Sequence, residues 1–393
     1  MTDFSANAAT LGYFYQARFA LLMLLQAEAD AEMSLERFDD VAFEQEGTPI
    51  QLLQTKHHIT RSASLTDRST DLWKTLRVWS ESVSLGLIQP TTTILTLITT
   101  AQAPAESAAS FLRPKDRDEK QALALLKDAA KTSSSQTNKF AYEAFLNLDE
   151  EQQRSLLTSV IVIDSSPVIT DVRDQILKEL RLTVRPRFLN LVYERIEGWW
   201  FDRVIKHLID DSQAPILAKE LIDQIHDIQE QYFEDSLPIE FLDAIGPDAA
   251  DLEEADRMFV EQLRLVMVRE PRIRLAINSY YRAFEQRSKW IREDLLHIGE
   301  LEQYEARLIE EWRNRYEIMR ENLPETSTEI QMQTEGRSLY NWVDTQAEIR
   351  IRPKVTEPYV MRGSYHMLAN QLRVGWHTEF LTRLSKVIQT TDS

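Results

Sequence analysis

From Asn7 to Glu32 apolar residues recur at helical spacing, through Leu11, Phe14, Tyr15, Phe19, Leu22 and Leu25, with few breakers, so the pattern predicts one helix. Two short extended runs follow, LERFDDVAFEQ and PIQLLQTKHHI, flanking Glu46-Gly47-Thr48-Pro49. A turn signal between β-rich runs predicts a hairpin. Helical period returns at Leu72, Trp73, Leu76, Trp79 and Val83, and TTTILTLITT, dense in β-branched residues, predicts a buried strand. The polar stretch from Ala101 to Gln153, with its SSSQTN run, reads as short helices and loops over the core. LTSVIVID is a second buried strand, and Ile169 to Leu180 a following amphipathic helix.

Beyond Arg185-Pro186 the pattern is almost wholly helical. The acidic break between Phe233 and Asp256 carries Pro238 and Gly246-Pro247 and marks the expected boundary, giving domains 1–235 and 236–393. Two long helices, near Glu254 to Leu296 and Ile298 to Leu323, suggest an antiparallel helical arm. The expected class is α+β: an N-terminal α/β core followed by a mostly α-helical C-terminal domain.

Composition narrows the function. The chain has 393 residues, 43% of them hydrophobic, enough for two or three compact domains. The absence of Cys excludes a disulfide framework, a thiol nucleophile and a thiolate zinc site. No segment approaches the roughly 20 uninterrupted apolar residues of a membrane span, and MTDFSANAAT lacks the basic start of a signal peptide, so a soluble cytoplasmic protein without a membrane partner is expected. A net charge of −18 argues against a general DNA-coating role. Basic residues concentrate from Arg181 to Lys206 and from Arg264 through Arg269, Arg272, Arg274, Arg282, Arg287, Lys289 and Arg292. The second stretch is expected to dock a partner; its plain alternative is a solvated face paired with Glu261, Glu270 and Glu285.

One constellation can carry chemistry. Asp39 and Asp40 fall in the first run of the hairpin and Gln54-Thr55-Lys56 in the second. Residues two apart on a strand share a face, so Gln54 and Lys56 project together and the hairpin brings the Asp pair beside them. Oxygen ligands of this kind hold Mg²⁺ (or Mn²⁺), which polarises a phosphodiester, while an ammonium stabilises the developing charge. This is the logic of a PD-(D/E)xK nuclease core with Gln in the second acidic place; Glu36 and Gln16 are candidates to supplement the site. On a surface hairpin the same residues are ordinarily solvated side chains; the surrounding order of helix, hairpin, helix and strand adds weight to the metal site and leaves both readings open.

The segments GYFYQARFALLMLL, LERFDDV, QLLQTKHH and LTLITTAQA resemble the restriction-like double-stranded DNA endonuclease domain of nucleotide-activated CBASS effectors. The resemblance continues through VIVIDSSPVITDVRDQILKEL and IEGWWFDRV. It implies a metal site at Asp40 (or Asp39), Gln54 and Lys56, and its Gly-x-x-Tyr-Gln opening falls on Gly12, Tyr15 and Gln16. YYRAFEQRSKWIREDLL, LEQYEARLIEEWRNRYE and MRGSYHMLANQLRVGWHTEF resemble the C-terminal domain of ABC-three-component systems, specifically effector subunits of Lamassu-type complexes. That implies an anti-phage or anti-plasmid role beside an SMC-like ATPase and a small accessory subunit, with double-stranded DNA as substrate and self-association on activation. The alternative is a non-catalytic scaffold of the same complex. No GxxxxGK[ST], HExxH or GxSxG is present, so a nucleotide hydrolase or peptidase lacks support.

Other residues have plainer expectations. Tyr15 reads as core packing, and Gln16 stays open between packing and the site. His57 and His58 follow Lys56 as either half-exposed strand ends or groups touching phosphate. Trp199 and Trp200 are expected in the core. Gly363, His366, Arg373, Trp376 and His377 match no standard ligand spacing and are expected to be structural or partner-contacting.

Overall fold

A computed structural model describes residues 4–57, 63–210, 214–245 and 258–384. The chain divides into two compact units, Met1–Gln229 and Glu230–Ser393.

The first unit is α+β, built on one mixed six-stranded sheet. Its strands are β1 (Glu32–Leu35), β2 (Val41–Gln45), β3 (Thr48–Lys56), β4 (Ile94–Thr99), β5 (Val160–Ile163) and β6 (Ile216–Leu217), in the order β5-β4-β3-β2-β1-β6. The pairs β3–β4 and β4–β5 are parallel, and the rest antiparallel. The expected hairpin is β2–β3. Glu46 and Gly47 both take positive φ, 51° and 74°, the backbone a two-residue turn needs to match strand twist.

Helix α1 (Phe4–Leu25) ends earlier than expected, and Glu32 opens β1 instead. Ala27 to Asp30 suits a helix, but the carbonyls of Ala29 and Ala31 accept from Lys219 and Ala218 N–H beside β6, so long-range pairing overrides local preference. Asp39 and Asp40 also differ from expectation. They lie in the loop between β1 and β2, not in a strand, in keeping with the poor strand preference of Asp.

Strand alternation gives the sheet two buried faces. Ala42, Leu52, Leu95, Leu97, Val160 and Val162 meet Leu72, Trp73, Leu76, Trp79 and Val83 of α2 (Thr70–Ser84). The polar stretch folds as α3 (Glu119–Thr132), α4 (Lys139–Asn147) and α5 (Glu150–Ser159), which place Leu126, Phe145, Leu156 and Leu157 in the same core. Arg117 pins α5 where it runs into β5: its guanidinium donates to the carbonyls of Leu157, Thr158 and Val160. Toward the other face lie α1, α6 (Ile169–Leu180) and α7 (Leu189–Ile209), tied by an ion pair of Arg18 with Glu197 at 2.6 Å and by Trp200 Nε1 donating to Ala17 O. Trp200 is core as expected, whereas Trp199 is only half-buried. Helix α8 (Ala218–Glu230) closes the unit.

The second unit is helical: α9 (Met258–Leu265), α10 (Glu270–Arg292), α11 (Glu300–Glu321), α12 (Glu329–Thr345) and α13 (Pro358–Asn370). The expected arm is corrected in two respects. Its first helix breaks at Met267, where φ is 57°, and restarts with Pro271 in the first turn; and α10 packs along α13, not chiefly on α11. Helix α13 is the centre of this unit, burying Tyr359, Val360, Tyr365, His366 and Leu368. The basic stretch is largely spent inside the unit. Arg272 bonds Asn341 and Asp344, Arg282 the carbonyl of Phe241, Arg287 pairs with Glu305, and Lys289 with Glu240. Arg264, Arg269, Arg274 and Arg292 of the same stretch stay exposed. His366 and His377 are buried; burial pushes His366 down to about 4, so it is neutral packing material.

The close approach of α10 and α13 depends on Gly363, where a Cβ would meet Ser279 O at 2.1 Å. Gly363→Ala should therefore cost about 2 kcal/mol, read as a lower thermal midpoint. Gly198→Ala, at a helical position with open space within 4 Å, should be neutral or stabilising by about 0.5 kcal/mol. Equal effects of the two would remove the close-packing account.

Candidate functional site

The site forms where β2 begins and β3 outruns it. The last β2–β3 pair is Val41 with Leu53, so Gln54, Thr55 and Lys56 continue past β2 while still paired to β4. The vacant edge is filled by Asp40. Its Oδ2 accepts from Thr55 N–H at 2.7 Å and from Thr55 Oγ1 at 2.9 Å, and its Oδ1 accepts from Gln54 Nε2 at 2.5 Å. A carboxylate thus takes the place of a strand carbonyl.

The loop carrying Asp40 is tightly closed. Glu36 N–H donates to Asp40 O at 3.2 Å, with Glu36 at φ 56°. Gln16 of α1, buried, donates through Nε2 to Glu36 Oε1 at 2.8 Å and to Asp40 O at 2.7 Å. Gln16 thus joins the Glu36 carboxylate to the Asp40 main chain, and the Asp40 carboxylate meets Gln54, so the four residues are connected partly through the Asp40 backbone. Lys56 stands two residues beyond Gln54 and so on the same face of β3.

Asp39 is directed differently. Its Oδ2 accepts from Trp79 Nε1 of α2 at 2.8 Å and its Oδ1 from Asp40 N–H at 3.0 Å. Burial pushes its carboxyl up to about 6, with the Asp40 charge adding to the rise and the Trp79 hydrogen bond, the Asp40 N–H and the Lys56 ammonium opposing it. Asp39 is an anchor for the loop, and it lies close enough to Lys56 to feel its charge.

His57 stacks on Tyr15 at 4.6 Å and 30°, with both ring nitrogens shielded from solvent, an arrangement that offers no direct approach to a phosphate. His58 lies outside the described residues. Tyr15 is fully buried, as expected of a packing residue. Three participants were not foreseen from the sequence: Thr55, Trp79 in its bond to Asp39, and Tyr15 as the platform for His57. Only Thr55 carried a usable signal, as a hydroxyl between Gln54 and Lys56.

The donor set suits a hard cation. Asp40 and Gln54 bring a carboxylate and an amide side by side, with the amide NH₂ facing the carboxylate, and Mg²⁺ typically takes one or two protein ligands while keeping several waters. Among the described residues no group of three His, Cys, Asp or Glu side chains is placed to hold a metal ion.

Residues 259–384 match the family described as C-terminal domain 7 of the ABC-three component (ABC-3C) systems. No curated protein matches the chain. Among solved structures, a Cap4 SAVED/CARF-domain containing receptor from Moraxella osloensis is 14% identical, with 70% of this chain and 68% of that one covered and a TM-score of 0.35. The Acinetobacter baumannii Cap4 receptor with the cyclic trinucleotide 2'3'3'-cAAA is 16% identical, with 61% and 55% covered and a TM-score of 0.32. The ABC-3C match covers only the helical unit, so the chemistry of the first unit stands on its own geometry. Among the described residues no helix is long and apolar enough to cross a membrane.

The Asp39 carboxyl makes a pH prediction. With its folded value above the ordinary 3.8, the folded chain binds the proton more tightly than the unfolded one, so this group lowers stability as pH rises from about 4 to about 6. Wild type should lose stability relative to Asp39→Asn over that window and hold a constant difference above it. Denaturant titrations at stepped pH measure this; a flat difference would show that burial does not hold the proton on Asp39.

Proposed function

We propose that the chain is a nuclease effector subunit of an ABC-3C defence system, of the Lamassu type, cleaving double-stranded DNA with Mg²⁺ or Mn²⁺ at a PD-(D/E)xK-like site. The observation that carries this is the direct contact of Asp40 with Gln54, with Lys56 on the same face two residues on. Asp40 Oδ1 and Gln54 Oε1 would hold the ion, with Glu36 as a neighbouring carboxylate. The bound ion would polarise the phosphodiester and lower the pKa of a bound water. Lys56 would neutralise charge that builds on the phosphoryl oxygens and orient the attacking water. Gln16 and Thr55 fix the Asp40 loop, and Asp39 with Trp79 anchors it from α2. Assembly with an SMC-like ATPase and a small accessory subunit, and pairing of the first unit to cut both strands, complete the proposal; the ABC-3C match supports the assembly.

A second reading is a scaffold without catalysis. The observation favouring it is that both oxygens of Asp40 are already bonded to protein donors. Incubating the full chain with linear and circular DNA, with and without Mg²⁺, separates the two. Degradation that requires Mg²⁺ and falls at least about 100-fold in Lys56→Ala, with unchanged thermal unfolding, supports the nuclease. Undiminished cutting by that variant removes Lys56 from the mechanism, and no cutting alone or with the partner subunits under either metal leaves the scaffold.

A further inference from the structure

The contact between Gln54 and Asp40 has a direction. An ionised carboxylate only accepts hydrogen bonds, and so does an amide oxygen, so at 2.5 Å the atom facing Asp40 Oδ1 must be the Gln54 NH₂. Gln54 is buried, at 7% exposure, which shields that bond from competing water. The other oxygen, Oδ2, is held by Thr55 through its backbone N–H and its hydroxyl. Thr55 N–H belongs to a strand still paired to β4 and cannot leave without disturbing the sheet. The Gln54 amide is different. Its last torsion is broad and roughly two-fold, so a half-turn exchanges its nitrogen for its oxygen with little other movement.

We infer that Gln54 is a latch on the metal site. Without a cation its NH₂ closes Asp40 Oδ1; loading the site requires the amide to turn over, bringing Oε1 beside Oδ1 in place of the donor. Gln suits this task and Glu does not. Two ionised carboxylates so close repel, which would force the metal-free site to open or to share a proton. The neutral amide therefore gives a resting state with Asp40 fully bonded, and a cation must compete with that bond. The inference rests on the metal-site reading above and adds a means of restraint built into the chain itself.

The test is thermal unfolding of the full chain, wild type against Gln54→Glu, in EDTA and in saturating Mg²⁺. In EDTA the variant should melt lower by roughly 3 °C or more, because the donor has become a second carboxylate. In Mg²⁺ the order should reverse, since a cation that binds only the folded state stabilises it, and binds the carboxylate pair more tightly. Mn²⁺ titration by calorimetry should show at least about tenfold tighter binding by the variant. Gln54→Met keeps the volume and removes both amide atoms; it should melt lower than wild type in EDTA and bind Mn²⁺ more weakly. Equal melting of wild type and both variants in EDTA would overturn the latch by showing that the amide does not hold Asp40. A deficit of Gln54→Glu that Mg²⁺ fails to reverse would also overturn it, since the contact would then not guard an ion site. A full reversal in a chain that cuts no DNA would sustain the latch and remove the nuclease reading, so the two failures are distinct.

Discussion

The Asp40 carboxylate at the edge of β3 is the interaction on which the rest of the candidate site depends. A strand that outruns its neighbour leaves backbone donors without partners, and a buried unpaired N–H costs on the order of a lost hydrogen bond or more. Asp40 meets that need with a side chain, and in doing so becomes fixed against Gln54 and Thr55. Satisfying the sheet and setting an acidic group against Gln54 are therefore one structural event. The surrounding parts hold the loop to that geometry: Gln16 from α1 on one side, Trp79 through Asp39 from α2 on the other.

Much of this was legible in the sequence where the signal is local. The turn at Glu46-Gly47, the α2 face of Leu72, Trp73, Leu76 and Trp79, the β-branched β4 and the buried β5 follow from turn chemistry and periodicity. Strands β1 and β6 do not, because one has four residues, the other two, and both are defined by partners far away in the chain. The spacing of Gln54 and Lys56 with an acidic pair upstream was readable. The division of labour within that pair was not, since whether Asp39 or Asp40 meets Gln54 is decided by the backbone of a five-residue bend and by an indole from another helix.

The second unit shows why charge patterns mislead when read without folding. A run of Arg and Lys in a long helix suggests a surface for an anionic partner, yet Arg287 is buried against Glu305 and Ser364, and Arg352 reaches Glu300 together with the carbonyls of Ser236 and Leu295. Arg352 donates from all three of its guanidinium nitrogens, and removing one partner of a buried guanidinium is far more costly than losing an exposed pair. Much of the charge of α10 is thus cohesive, holding helices to one another.

Arg117 settles how the sheet ends on its β5 side. Terminal strands are adhesive, since their outer amides can template another chain, and natural proteins blunt them with cationic side chains or covering segments. Here a guanidinium lies on the first carbonyl of β5 and on the closing turn of α5. One carbonyl at the start of that terminal strand is thereby occupied from within the fold. At that corner a charged side chain, and not a neighbouring backbone, meets the carbonyl where the strand begins.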